Sequence, residues 1–241
     1  MKISVIVPAF NEEKLLGASL AEIKTSAKAF VARGWEFELV VCDNNSTDRT
    51  AEIARAAGAV VVFEPVNQIG RARNCGAKAA TGDWLVFVDA DTHPSAELFA
   101  DVVEKIAGGQ IMAGGSTIRL DEKIFSAALV TELWNYASRL KKLMAGSFIF
   151  VEAAAFRKIG GFNHEFFAAE ELDLSARLKK LARAQGKKIC ILHRHPIKTS
   201  ARKVRLYTPR EMGGFLVRSL FAPRKTMRNR EAAFMWYDGR R

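Results

Sequence analysis

Short runs of β-branched and aromatic residues at 3–7, 37–42, 60–63 and 84–88 punctuate the opening part of the chain, and helix-like segments fill the gaps between them. The first gap predicts a helix over 13–33 that stops at Gly34. The second helix follows Ser46 and Thr47, a capping pair with Asp48 in the first turn, and closes at Gly58. The third opens near Gly70 and closes at Gly82. Residues 1–91 therefore read as βαβαβαβ, the pattern of a mostly parallel sheet buried between helices. Further on, 95–107 predicts a helix, 112–119 a strand, 125–144 a helix with an aromatic face, and 146–151 a strand. Leu174, Leu178 and Leu181 repeat at helical spacing within 172–184, and 188–192 reads as a last strand. Beyond Pro196 the chain is too basic and irregular to divide into elements. The expected fold class is α/β, with a main domain over 1–195 and a basic C-terminal extension over 196–241.

The chain has 241 residues, 49% of them apolar, enough for one large core. Cys42, Cys75 and Cys190 are odd in number, widely spaced and without a CxxC pair, which argues against a disulfide framework or a zinc knuckle and for a reducing compartment. Asn11, Glu12 and Glu13 interrupt the N-terminal apolar run, and no stretch nears the roughly 18 apolar residues of a membrane span. The expectation is a cytoplasmic protein, soluble or at the inner face of the membrane. The net charge of +11 is uneven, because from Arg177 onward nineteen Lys and Arg face only Glu211, Glu231 and Asp238. That stretch is a solvated face or a surface for anionic lipid or a phosphate-bearing acceptor. Phe215, Leu216, Val217, Leu220 and Phe221 among its cations keep peripheral contact with an anionic membrane open. Nucleic acid binding rests on charge alone and is not expected.

Ligands of open α/β sheets collect beyond the carboxyl ends of the strands, so the residues after each predicted strand carry the candidate chemistry. They are Pro8-Ala9-Phe10-Asn11-Glu12, Asp43-Asn44-Asn45-Ser46, Glu64-Pro65-Val66-Asn67 and Asp89-Ala90-Asp91. Carboxylates gathered on one edge stay ionised only with positive charge among them. Asp89 and Asp91 lie two apart at a strand end, so both can point the same way, and their hard oxygens suit magnesium or manganese. An Asp-x-Asp alone is weak, since acidic pairs often cap loops. Gly70 to Asn74 sits where a helix begins, and exposed N–H groups there attract phosphate, with Arg71 reinforcing them. Arg73 is read equally as a solvent-facing helix residue.

Val5-Ile6-Val7-Pro8-Ala9-Phe10-Asn11-Glu12, Asp43-Asn44-Asn45-Ser46-Thr47-Asp48, Gly70-Arg71-Ala72-Arg73-Asn74 with Gly76, and Asp89-Ala90-Asp91, in that order, resemble family 2 glycosyltransferases of the GT-A fold. The resemblance covers about residues 1–178, including Gly160-Gly161-Phe162 and Glu170-Glu171. It implies a nucleotide-binding half over 1–91 and an acceptor half over 92–195. It implies that Pro8, Ala9, Phe10, Glu12 and Asp43 hold base and ribose, that Gly70, Arg71 and Asn74 face the donor, and that Ala90 lies between two working carboxylates. In the family Asp89 contacts ribose or metal-bound water and Asp91 ligates the metal bridging the donor phosphates. Some relatives complete the metal shell with a histidine from the region of His193 and His195, and His195 is the candidate here; two surface histidines flanking Arg194 are the plainer reading. Glu171 is implied as the base, with Glu170 as its rival, because the family more often has Asp at this position. Asp173 suits an i, i+4 ion pair with Arg177. Phe162 or Phe166 serves sugar stacking or the core equally well. Thr199-Ser200-Ala201-Arg202-Lys203 suits pyrophosphate, or is an ordinary basic loop.

The expected activity is inverting, divalent-metal-dependent sugar transfer from a UDP-, GDP- or dTDP-sugar to a hydroxyl acceptor, saccharide or lipid-linked. A nucleotidyltransferase shares strand-end carboxylates and metal but opens with a glycine-rich loop, and Pro8 to Glu12 contains no glycine. A nucleotide-sugar-binding or membrane-docking module without catalysis is the reading from another class.

Overall fold

The computed structural model describes residues 1–122, 124–208, 211, 214 and 223–237. The tail residues Phe215, Leu216, Val217, Leu220 and Phe221 lie outside the described residues. The alternation of βαβ units gives β1 (Lys2–Ala9), α1 (Leu16–Ser26), α2 (Lys28–Ala32), β2 (Glu36–Asp43), α3 (Thr50–Ala56), β3 (Val60–Phe63), α4 (Ile69–Ala79) and β4 (Trp84–Val88). The second half adds β5 (Thr92–His93), α5 (Ala96–Ala107), β6 (Ile111–Leu120), α6 (Phe125–Lys141), β7 (Phe148–Glu152), α7 (Ala153–Lys158), α8 (Glu170–Ala184) and β8 (Lys188–Thr199). The short helices α9 (Arg202–Leu206), α10 (Pro223–Met227) and α11 (Phe234–Tyr237) belong to the extension.

Among the described residues eight strands form one sheet in the order β3-β2-β1-β4-β7-β6-β8-β5. β3, β2, β1 and β4 are mutually parallel, as the βαβ pattern requires. β7 then runs antiparallel to both β4 and β6, β8 runs parallel to β6, and β5 closes the edge antiparallel to β8. The sheet is therefore more mixed than the sequence pattern suggests. Strand periodicity sorts the core into two layers. Ile3, Val5 and Val7 of β1 point toward the layer shared with Leu16, Leu20, Phe30 and Phe99. Ile6 points into the opposite layer with Leu85, Phe87, Ile149, Phe162 and Leu174.

Three boundaries differ from the pattern, each for a local reason. The segment 13–33 holds α1 and α2 in succession, and α1 starts only at Leu16 because the Leu15 and Leu16 N–H groups both close on the Glu12 carbonyl. Helix α3 is opened by Asp48, whose Oδ1 accepts the Thr50 N–H at 2.9 Å. Ser46 and Thr47 are instead spent on Asn11: the Asn11 N–H donates to the Ser46 hydroxyl, and the Thr47 N–H donates to Asn11 Oδ1. Strand β8 continues seven residues past Leu192, since a register shift opposite Ser116 and Ile118 lets Pro196 sit outside the regular ladder. Helix α6 turns its aromatic and aliphatic face outward, with Leu133, Tyr136 and Leu140 exposed, while the buried Asn135 and Ser138 face inward.

Candidate active site

The carboxyl ends of β1, β2 and β4 lie side by side, with Ala9 in register with Asp43 and the Asn44 N–H bonded to the Ala9 carbonyl at 2.8 Å. Pro8, Ala9, Phe10, Glu12, Asn44, Asn67, Ile69, Asp89, Ala90, Asp91 and Tyr237 line a single cleft above that edge. Asn44 builds one wall. Its amide donates to the carbonyls of Glu64 and Val66 at 3.1 and 2.7 Å, and its oxygen accepts the Gln68 N–H at 2.9 Å. The loop so held delivers Asn67 and the first residue of α4, Ile69, to the cleft. Asp43 is buried beside it, and its Oδ1 accepts the Ser46 N–H at 3.1 Å, so one of its oxygens shapes the turn after β2.

Arg73 is the largest fully buried side chain among the described residues. Its guanidinium donates to Glu170 at 2.5 Å, Asp89 at 2.8 Å and the Gly146 carbonyl at 2.9 Å, and lies 5.2 Å from the centre of the Phe162 ring. A solvent-facing Arg73 is thus excluded. Helical spacing carries the signal: Arg73 lies on one face with Gly70 and Ala77, small residues that let the helix approach the sheet. Burial opposes the charge on Arg73, and Asp89, Glu170 and Glu171 together outweigh it, so its pKa lies above the ordinary guanidinium value. Phe162 packs edge-on against Phe87 and Phe156, which makes it core. Phe166 is half-buried with Arg228 over its ring.

The other α4 residues separate. Gly70 packs toward Phe162 and Glu170, and Arg71 donates to Glu64 at 3.1 Å. Asn74 does not face the cleft: its oxygen accepts the Phe162 N–H at 2.9 Å and its amide donates to the Phe162 carbonyl at 2.8 Å. It clamps the Gly160-Gly161-Phe162 turn, which Arg177 grips from the other side through the Ile159 and Gly161 carbonyls while pairing with Asp173.

Helix α8 starts at Glu170, and the three carboxylates of Glu170, Glu171 and Asp173 lie in its first turn, at its positive end. Glu170 is spoken for by Arg73. Glu171 makes no side-chain hydrogen bond to another described residue, and burial followed by the neighbouring Glu170 pushes its carboxyl up to about 8. Although part of Glu171 reaches the surface, its carboxyl is densely surrounded by protein. Burial likewise raises Glu170.

The extension supplies two residues that strand-end reasoning missed or left open. Arg202 forms a bidentate pair with Glu12 at 2.8 and 3.1 Å and reaches Asp91 at 3.6 Å, and the Ser200 N–H donates to the Asp91 carbonyl at 3.2 Å. Tyr237 packs edge-on against Phe167 and points its hydroxyl at the Ile69 N–H, 3.3 Å away, at the mouth of α4. Burial and then Glu170 push its phenol well above the usual range. No local sequence signal links Tyr237 to a helix 168 residues away.

His195 is not brought to the triplet. Its Nδ1 lies 3.0 Å from Asp101 of α5, and four residues of strand, roughly 13 Å, separate it from Thr199, the partner of Thr92. His193 lines a groove beside α6. Among the described residues no three of His, Cys, Asp and Glu converge as a metal cage. Magnesium-type sites typically use one or two carboxylates and take their other ligands from phosphate and water. Asp91, at the cleft, with Asp89 beside it meets that requirement.

A parallel half formed by β3, β2, β1 and β4, acidic strand ends and an antiparallel strand β7 constitute the GT-A architecture. A family model described as glycosyl transferase family 2 matches residues 4–160, and the chain belongs to that family. It is 35% identical over 113 residues to an uncharacterized glycosyltransferase of Mycobacterium bovis, covering 47% of each chain. It is 33% identical over 124 residues to a dolichol-phosphate mannosyltransferase of Pyrococcus furiosus, covering 48% of this chain and 33% of that one. The chain thus spans about half or less of the length of these relatives. A mannosyltransferase of Pyrobaculum calidifontis, solved with GDP-Man and Mn2+, superposes with a TM-score of 0.67 at 19% identity, over 94% of this chain and 62% of that one.

Proposed function

We propose that this protein transfers a sugar from a nucleoside-diphosphate sugar to a hydroxyl acceptor, with inversion and with a divalent metal, Mn2+ or Mg2+. The observation that carries the reading is the cleft itself: Asp91 and Glu12 share it with Ile69, the first residue of α4, and with Pro8, Ala9 and Phe10. That combination suits a base and ribose on one side and two phosphates on the other. The Mn2+ in the GDP-Man complex of the Pyrobaculum mannosyltransferase supports the metal assignment.

In this reading Asp91 holds the metal, with Asp89 as ribose or outer partner, since Asp89 is already bonded to Arg73. Bound there, a cation would supply positive charge against the leaving nucleoside diphosphate. Ile69 N–H at the α4 terminus is a donor to phosphate once Tyr237 gives it up. Arg202, now balancing Glu12 and Asp91, is positioned to follow the phosphate charge. Glu171 takes the proton of the acceptor hydroxyl as it attacks the anomeric carbon from the face opposite the leaving group. Arg73 holds Glu170 and Asp89 in place and so orients both halves of the site.

A thermal-shift panel of UDP-, GDP- and dTDP-sugars with and without Mn2+ tests the proposal, because a ligand selective for the native state raises the melting temperature. One base class is expected to shift the protein only with metal, and Asp91→Ala to abolish both the shift and release of nucleoside diphosphate. A product of retained anomeric configuration rejects the direct displacement, and binding without turnover in the presence of acceptors favours the non-catalytic module.

A further inference from the structure

We propose that the outer face of α6 is a docking surface for an anionic phospholipid bilayer. Half of the ten large hydrophobic residues that the described chain leaves exposed fall on this one helix: Leu129, Val130, Leu133, Tyr136 and Leu140, each between 59% and 69% exposed. Leu129, Leu133, Tyr136 and Leu140 repeat at steps of four, three and four, which places them in one stripe. The stripe is not core left over from a loose fit, because the opposite face is anchored by polar bonds. Asn135 accepts the Ile118 N–H at 2.8 Å and donates to the Ile118 carbonyl at 2.9 Å, and both Asn135 and Ser138 are buried. The apolar surface continues into a groove of about 520 Å³ between α6 and β8, where Leu140 and Tyr136 face Ile111 and Ile191.

Charge decides what occupies it. Arg139, Lys141, Lys142 and Lys188 surround the C-terminal end of the stripe, all exposed and none in an ion pair among the described residues, while Glu132 is the only acidic residue of the helix. An apolar stripe edged by cations matches acyl chains bordered by anionic headgroups. A second copy matches less well. Two chains of net charge +11 would bring the same cations together. One helix of 17 residues, about 25 Å long, offers less than the roughly 800 Å² per partner of a stable protein interface. The helix ends also lie close to the cleft: Gly146, five residues beyond Lys141, binds Arg73, and Asp121, ahead of the helix, accepts the Ala201 N–H next to Arg202. Docking through α6 therefore holds the cleft near the bilayer plane, where a lipid-linked acceptor hydroxyl is found.

The surface is tested by vesicle flotation of the full chain without nucleotide, so the outcome is independent of the donor assignment. Flotation is expected with phosphatidylglycerol-containing vesicles and not with pure phosphatidylcholine. Leu133→Ser with Leu140→Ser should weaken partitioning by at least about tenfold, Lys141→Glu with Lys142→Glu should abolish it, and the melting temperature should hold in both. Tyr136→Trp should show, in the emission difference from the wild type with its four native tryptophans, a blue shift on anionic vesicles, and this readout stands even if the double variants fold poorly. Undiminished flotation of both double variants, or no blue shift of the new tryptophan, overturns the proposal. So does a dimer in sedimentation equilibrium that the leucine changes dissolve, because the occupant is then a second copy.

Discussion

The guanidinium of Arg73 donates to Glu170 at 2.5 Å in a position closed to solvent, and through its other nitrogen it reaches Asp89 at 2.8 Å. One cation thereby joins the start of α8 to the end of β4, the two elements that carry the base and metal candidates. Removing it leaves two carboxylates facing each other without compensation. Arg73→Ala should cost about 3–5 kcal/mol of stability, read from urea unfolding. Glu170→Gln should cost less, because Asp89 still pairs with Arg73. A loss from Arg73→Ala no larger than that of a surface substitution would contradict the buried pair.

Glu171 gives a prediction in pH. Its folded pKa, raised to about 8 against an ordinary 4.5, means that the native state keeps a proton the unfolded chain has already released. Its contribution therefore destabilises progressively as pH rises from the carboxylate range toward 8. The wild type should lose stability relative to Glu171→Gln across that window in calorimetry. As the base, Glu171 works only when ionised, so kcat/KM should climb over the same window, and Glu171→Gln should be inactive. A wild-type profile already flat from the carboxylate range upward would exclude Glu171.

Tyr237→Phe keeps the ring against Phe167 and deletes the hydroxyl that meets the Ile69 N–H. The loss of one hydrogen bond of about 0.5–1.5 kcal/mol should lower the melting temperature slightly and tighten nucleoside diphosphate binding about two- to tenfold. Calorimetric titration decides the matter, and weaker binding would show that the hydroxyl contacts the ligand instead of yielding to it.

Gly161→Ala should be destabilising by roughly 1–3 kcal/mol in thermal unfolding. The residue sits at φ +68°, and an added Cβ would fall 2.5 Å from Asn74 Oδ1. Because Asn74 holds Phe162 on both its backbone groups, the same change should displace Phe162 from beneath Arg73 and lower activity together with stability. An unchanged melting temperature would show that the clamp is not rigid.

The sequence was most legible where a local rule governs. Residues 1–91 alternate strand and helix, and the strand-end motifs Pro8–Glu12 and Asp89–Asp91 meet at one edge because parallel strands must end together. The i, i+4 spacing of Asp173 and Arg177 was equally readable. Long-range partners were not. Asn74 was expected to face the donor, but its partner Phe162 lies 88 residues on. His195 shares a strand face with His193, yet which face meets Asp101 depends on the bulge opposite Ser116 and Ile118. Helix α6 was readable as a helix with an aromatic face, but periodicity alone says that a face is apolar without saying what covers it.

The bonds between Asn135 and both backbone groups of Ile118 also bear on variation. A helix pinned by an amide to a fixed rung of the sheet keeps its seat whatever stands on its far side. Folding therefore exerts little selection at positions 129, 133, 136 and 140, and drift there should scramble them in a lineage that has no further use for the stripe. Their composition across relatives is a record of the neighbour the helix has met, kept separately from the record of the fold.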